Sequence, residues 1–289
     1  NDPPTTHNYT LTHSSAASDV YKRQVRALVA LGDGTEVVGL ARTPKNAERL
    51  GVEIRPGDYN ERAVLEQALQ GVDVVLLVSG MDDPKKRIDQ HRNVIEAAKR
   101  AGVTKIVYTS VQGAEEATAF SPIIQSNRQT EQDVRRSGLA WVIGRNGIYI
   151  VPDVEYIDAY KEAGGIANCA GDGRCGYTTR SELAYAYARM LTEDAHNGHT
   201  YNLHGEAITQ YELANYLNRA FGTDLQYTPM TVEEYRADRV AELGEFMGSV
   251  IAGIYEGIHN GEADHPSHFK QAAGRNHMSW EKYFAGLEG

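Results

Sequence analysis

The sequence predicts an α/β fold, a doubly wound parallel sheet followed by a smaller C-terminal lobe, and three observations predict it. Residues 74–78 read VVLLV with no polar interruption, the pattern of a strand covered on both faces of a parallel sheet. Ile88, Val94, Ile95 and Ala98 then recur at helical spacing within a charged run that Gly102 closes. Residues 106–108 return as an apolar strand, so strand, helix and strand follow one another as a right-handed βαβ unit. Ligands of such sheets bind beyond the carboxyl ends of the strands, which places Val78, Ser79 and Gly80 and the pair Thr109 and Ser110 at the site.

The other elements follow in order. Residues 8–13 fall in the slot of the first strand, between the second and fourth. Tyr9, Leu11 and His13 alternate there with Thr10 and Thr12, where a central strand is normally apolar throughout. A helix start is expected at Ser18 or Asp19, both competent N-caps, with residues 1–7 unpacked; Gly32 and Gly34 end that helix. Residues 35–40 form the second strand, Pro44 turns the chain into a helix over 45–50, residues 52–54 form the third strand, and Gly71 stops a helix begun at Ala63. After a loop to Pro122 come a polar helix at 125–138, a strand at 141–143 and a turn at 144–147, where Asn-Gly is a strong turn signal. A short helix at 154–165, a helix capped by Thr179 or Ser181, a strand at 200–205 and a final helix at 279–287 complete the pattern. Thr209 with Glu212 and Thr231 with Glu234 each have capping-box spacing. The organisation predicted is an atypical segment over 1–24, a nucleotide-binding domain over 25–150, and a smaller lobe over 151–289 from which residues 176–204 return to the first domain.

Composition narrows the function. Across 289 residues, 39 acidic side chains exceed 29 basic ones for a net charge of −10, and no block of lysine and arginine marks a nucleic-acid footprint. Cys169 and Cys175 are too few for a disulfide framework and match no zinc spacing, as expected of reduced cytosolic thiols. The histidines near the C-terminus, His259, His265, His268 and His277, have no metal-ligand spacing either. No apolar run is long enough to span a bilayer and no signal segment opens the chain, so a cytoplasmic protein with no membrane partner is expected.

The blocks VVGLARTPKNAERL, IRPGDYNE, VDVVLLVS, HRNVIEAAKRAGVTKIVYTS, SGLAWVIGRNGIY and AGDGRCGYTTRSELA, in that order, resemble the NmrA-like branch of the atypical short-chain dehydrogenases. The resemblance covers about residues 25 to 289. It implies a Rossmann-like doubly wound sheet with a smaller C-terminal substrate lobe, bound NADP(H), and direct hydride transfer to a small-molecule quinone without metal or flavin. The alternative it implies is a non-catalytic NADP(H) sensor that binds a regulatory partner. The departure is at the front. The family opens with a glycine-rich loop of the type TGATGxLG, whereas residues 12–21 here read THSSAASDVY without a glycine. Glycine serves that loop for a tight turn, for backbone approach to the pyrophosphate and for helix packing. Residues 1–24 read as foreign to the family pattern, like translated sequencing adapter, and such a chain is expected to bind NADPH more weakly than one with the glycine loop.

Within the resemblance, individual residues acquire roles. Arg42 follows the second strand where an acid would grip a ribose 2′-hydroxyl, and its guanidinium fork suits a 2′-phosphate, with Lys45 adding charge. The family places Arg145, Asn146, Gly147 and Tyr149 beside the nicotinamide. Asn146 and Tyr149 are thus the catalytic candidates, the Asn146 amide being able to donate to or accept from a carboxamide or a quinone oxygen. Arg180 matches a further block, with Glu182 where the family has Asp, and serves as an ion-pair partner or a cofactor contact. The Tyr-x-x-x-Lys pair of ordinary short-chain dehydrogenases is missing from QSNRQTEQDV, and Tyr156 and Lys161 are one residue too far apart. Quinones need no such acid, because the reduced ring is stabilised by conjugation and orientation carries most of the rate.

Overall fold

A computed structural model describes residues 8–11, 36–46, 51–80 and 82–287 of the chain. Its strands are β1 (Asn8–Leu11), β2 (Glu36–Ala41), β3 (Glu53–Pro56), β4 (Val74–Val78), β5 (Lys105–Val111), β6 (Ala140–Asn146), β7 (Ile148–Tyr149), β8 (Gly165–Asn168), β9 (Tyr177–Thr178), β10 (His199–Leu203) and β11 (Gln226–Pro229). Seven of them form one sheet in the order β10-β6-β5-β4-β1-β2-β3. Strand β1 lies inside the sheet between β4 and β2 and runs parallel to both, with Tyr9 opposite Val37 and Val74 and Leu11 opposite Gly39 and Leu76. Ladder hydrogen bonds use only the main chain, so a polar sequence can occupy a slot that apolar strands leave open. The expected helix start at Ser18 or Asp19, the loop positions 12–21 and residues 1–7 lie outside the described residues.

The helices are α1 (Arg62–Ala68), α2 (Pro84–Ala101), α3 (Ser121–Arg135), α4 (Val151–Glu155), α5 (Ile157–Ala163), α6 (Arg180–Thr192), α7 (Gln210–Phe221), α8 (Val232–Leu243), α9 (Glu245–His259), α10 (Phe269–Ala273) and α11 (Trp280–Ala285). Helix α2 shows why the central unit forms. Asp83 accepts a hydrogen bond from Lys85 N, Pro84 occupies the first turn, and Gly102 ends the helix with φ 82°. Its Val94, Ile95 and Ala98 pack with Leu65 and Leu69 against Val75, Leu77, Ile106, Tyr108 and Ile143 of three adjacent strands.

Two compact units divide the chain. Unit 1 contains residues 1–110, 126–145 and 180–201; unit 2 contains residues 111–125, 146–179 and 202–289. The apolar cluster just described is the core of unit 1. In unit 2, Tyr177, Ile166, Leu213, Leu217, Ile258, Trp280 and Phe284 form the core, beside the parallel pairs β11–β8 and β7–β9. Both expected capping boxes are present, at Thr209 with Glu212 and at Thr231 with Glu234. Unit 2 also buries a carboxylate. Asp153 is 4% exposed and accepts from the Tyr160 hydroxyl at 2.9 Å and the Tyr255 hydroxyl at 3.4 Å. Burial outweighs those bonds and raises its pKa to about 6.

Three expectations need correction. The turn expected at 144–147 is strand as far as Asn146, because β6 continues along β5 and Gln112 N donates to Asn146 O at 2.9 Å. The helix expected over 45–50 is a 3₁₀ turn over Pro44–Asn46 in its described part. Helix α9 was not expected at all, since Gly248, Gly253 and Gly257 are poor helix formers. Gly253 has a packing reason: a Cβ there would lie 2.5 Å from Phe120 N. Both cysteines are free and buried.

Candidate functional site

The carboxyl ends of β4 and β5 in unit 1 form a closed hydrogen-bonded cluster. The Tyr59 hydroxyl donates to Val78 O at 2.9 Å, and Ser79 N donates to Thr109 Oγ1 at 2.9 Å. Ser79 Oγ lies 3.0 Å from the Tyr108 hydroxyl and 2.8 Å from Asn127 Oδ1, which the Tyr108 hydroxyl also approaches at 2.7 Å. Gly80 is held on both sides, its N–H donating to His91 Nε2 at 3.0 Å and its carbonyl accepting from Arg87 Nη1 at 3.1 Å. Four of the predicted cofactor residues, Val78, Ser79, Gly80 and Thr109, are thus brought together. Burial pushes the Tyr108 phenol up to about 12, so it is a hydrogen-bonding group and not a proton source at neutral pH.

Ser110, at the end of the same strand β5, belongs to a neighbouring hub around Glu131 on α3. Arg145 grips this buried carboxylate with Nε at 2.8 Å and Nη2 at 2.7 Å, a two-point fork. Arg128 Nη1 donates at 2.9 Å, Arg135 Nη2 at 3.0 Å and Ser110 Oγ at 2.7 Å. Burial works against the charge of Glu131, yet the Arg145 hydrogen bond and the Arg128 and Arg145 charges outweigh it and hold the pKa below the usual value. Arg145, predicted as a cofactor contact, therefore serves first to tie the end of β6 to β5 and α3.

Arg42 and Lys45 are exposed just beyond β2. The sequence offered no acid near them, but Asp82 is close: its pKa is lowered first by a hydrogen bond from Gln90, then by Lys86, with the charge of Arg42 contributing. Arg180 opens α6 in unit 1. In unit 2, Asn146 is buried at the end of β6, Tyr149 is half-buried, and Gly147 N donates to Leu203 O at 3.0 Å. A Cβ at Gly147 would collide with the Gly176 carbonyl and the His204 side chain, which explains glycine there. Unit 2 also has a small apolar dent of about 10 Å³, room for one water, walled by Phe120, Ile148, Ile254 and Gly257 with Gln112 and Glu262 as polar members.

Sequence reasoning missed His91, Arg87, Tyr108, Asn127, Thr130 and Glu131. A signal existed for His91: it lies three, four and seven residues before Val94, Ile95 and Ala98, on the apolar stripe of α2. Among the described residues no group of His, Cys, Asp and Glu is placed to hold a metal, and no helix is long and apolar enough to cross a membrane.

A sequence profile described as NAD(P)H-binding matches residues 16–194. The chain belongs to the NmrA-like NAD(P)H-binding family. Quinone oxidoreductase 2 of Escherichia coli (strain K12) is 34% identical over 217 residues, 74% of this chain and 75% of that protein. The crystal structure of an Escherichia coli NADPH-dependent quinone oxidoreductase complexed with NADPH superposes with a TM-score of 0.88 at 28% identity, covering 97% of this chain and 100% of that one. Triphenylmethane reductase of Citrobacter sp., complexed with NADP(H), superposes with a TM-score of 0.86 at 32% identity, covering 95% of this chain and 98% of that one. The NmrA-like assignment carries the Rossmann-like fold and the coarse activity, NAD(P)H-dependent oxidoreduction.

Proposed function

We propose that the chain transfers hydride from NADPH directly to a quinone. The observation that carries this reading is the commitment of Asn127 and Glu131. They stand on α3, the helix where a Tyr-x-x-x-Lys acid would lie. Asn127 Oδ1 faces the Ser79 and Tyr108 hydroxyls, and Glu131 is spent on three arginines and Ser110. A site built this way suits an acceptor whose reduced form needs no strong acid, and the similarity to a quinone oxidoreductase supports the same substrate class.

The strand-end residues and the basic pair after β2 fit two parts of the dinucleotide, while residues 12–21 lack the glycines that would let its pyrophosphate approach. Gly80 and the half-buried Ser79 offer a small, flat strand end on which a ribose and a nicotinamide can lie close to the main chain. Arg42 and Lys45, exposed beyond β2, suit a 2′-phosphate. NADPH, when bound, supplies the hydride. The chain's own residues orient the acceptor: Arg145, clamped by Glu131, fixes the end of β6, and Asn146 presents its amide to a carboxamide or quinone oxygen. Tyr149 and Gly147 complete this group, and Arg180 is a further cofactor contact. The test is NADPH oxidation followed with a simple benzoquinone or naphthoquinone. Tight NADPH binding without turnover would replace this reading with that of a sensor.

A further inference from the structure

We propose that His91 is a positioning residue for the dinucleotide, acting with Arg87 and Thr130 to fix the Ser79–Gly80 main chain at the end of β4. The inference rests on the reading that this strand end contacts the cofactor, and it adds residues that themselves touch none of it.

The Gly80 N–H can only donate, so His91 Nε2 is the acceptor, and the Thr130 side agrees with it. Thr130 Oγ1 donates its one proton to Ser126 O at 3.0 Å, four residues back along α3. The same oxygen lies 2.9 Å from His91 Nδ1, and with its proton spent it can only accept there. Nδ1 therefore carries the ring hydrogen, and Nε2 presents a lone pair to the Gly80 N–H at 3.0 Å. One turn earlier on the same face of α2, Arg87 donates to Gly80 O at 3.1 Å and to Ser126 Oγ. Both polar groups of the Gly80 residue are thus satisfied by two side chains of one helix, and that helix is braced against α3.

The ring has no freedom to turn. It is fully buried, edge-on to Tyr108 with centroids 5.6 Å apart and to Tyr59 at 6.2 Å. Burial first, and then the neighbouring Arg87 charge, lower its pKa to about 3, so the imidazole stays neutral and its Nε2 stays an acceptor across the working pH range. Tyr59 repeats the device one step earlier, since its hydroxyl holds Val78 O and its own carbonyl accepts from Asn93 Nδ2 at 2.9 Å. The strand end is therefore set by side chains packed around it, with Ser79 its partly exposed member. A surface fixed before binding saves the ligand the entropy of ordering it.

The experiment uses the full chain with His91→Leu, His91→Gln and Thr130→Val, and reads two quantities: hydrogen exchange at the Gly80 amide and NADPH affinity with its KM. His91→Leu should speed Gly80 exchange and raise both the Kd and the KM for NADPH about tenfold, the size expected for an orphaned buried donor. Its kcat at saturating NADPH should change little. Gln can still accept from Gly80, so His91→Gln should recover much of the affinity. Thr130→Val, which removes the group that sets the tautomer, should fall between them and carries the test if the leucine variant does not fold. Lost protection at Gly80 with unchanged NADPH affinity would overturn the proposal while leaving the cofactor reading intact. Normal Gly80 protection in a wild-type chain that binds no NADPH would overturn both.

Discussion

Arg42 and Asp82 are distant in sequence yet close enough that the arginine's charge helps keep the carboxyl ionised. A 2′-phosphate entering there meets one favourable and one unfavourable neighbour. Arg42→Ala should remove most of any preference for NADPH over NADH, about 1–3 kcal/mol for a charge-assisted pair. Asp82→Asn should shift the preference the other way. Equilibrium Kd values for both dinucleotides decide this, and equal affinity in the wild type would refute it. Asn146 needs a different expectation from that of a turn residue, because it is 7% exposed within β6. Asn146→Ala should lower quinone turnover and also cost about 1–2 kcal/mol of stability, as losing a buried polar partner does. Urea unfolding run beside the activity assay separates the two effects.

Among the elements, α9 allows a clean comparison. Gly253→Ala would put a methyl 2.5 Å from Phe120 N, while at Gly257 the nearest atom is Ala114 Cβ at 3.9 Å. The first substitution should destabilise unit 2. The second should stabilise it by up to about 1 kcal/mol through helix propensity. The contrast also shows what the sequence made legible. Capping boxes at Thr209 and Thr231, the apolar run of β4 and the αL glycine after α2 are local signals, and each appears where its chemistry requires. Helix α9 was hidden because Gly248 and Gly253 answer to neighbouring main chain, not to their own helix. The Arg145-Asn146 pair read as a turn for a similar reason: only the adjacent β5 shows that the strand continues. His91 and Glu131 were visible as polar residues on buried helix faces, but their partners, Gly80 and Arg145, come from other elements and no spacing rule connects them.

For the molecule as a whole, the buried Asp153 sets a pH dependence. Its folded pKa of about 6 exceeds the ordinary 3.8 of an aspartate in water. The folded state therefore holds its proton more tightly, and the cost of Asp153 is absent below pH 3.8, grows as pH rises, and is complete above about 6. Asp153→Asn keeps an acceptor for Tyr160 and cannot ionise. Its stability advantage over wild type should be near zero at pH 4 and climb by about 1.4 kcal/mol per pH unit before levelling off. Thermal or urea unfolding at pH 4, 5, 6 and 7.5 reads it directly; an advantage independent of pH would mean the carboxyl is ionised at no cost.

The division into units has a consequence for how the chain is made. Neither unit is a continuous stretch: the boundaries fall at residues 110, 125, 145, 179 and 201. A nascent chain leaving the ribosome cannot finish unit 1 first and then begin unit 2. Halted after residue 179, it would have β1 to β6 but not α6 or the edge strand β10, together with a fragment of unit 2 that lacks Leu213, Trp280 and Phe284. Long-range pairings of this kind close slowly and leave apolar surface exposed meanwhile. Unit 1 has all its segments only once residue 201 has emerged, and unit 2 waits for Trp280 and Phe284, so both cores stay incomplete until late in translation.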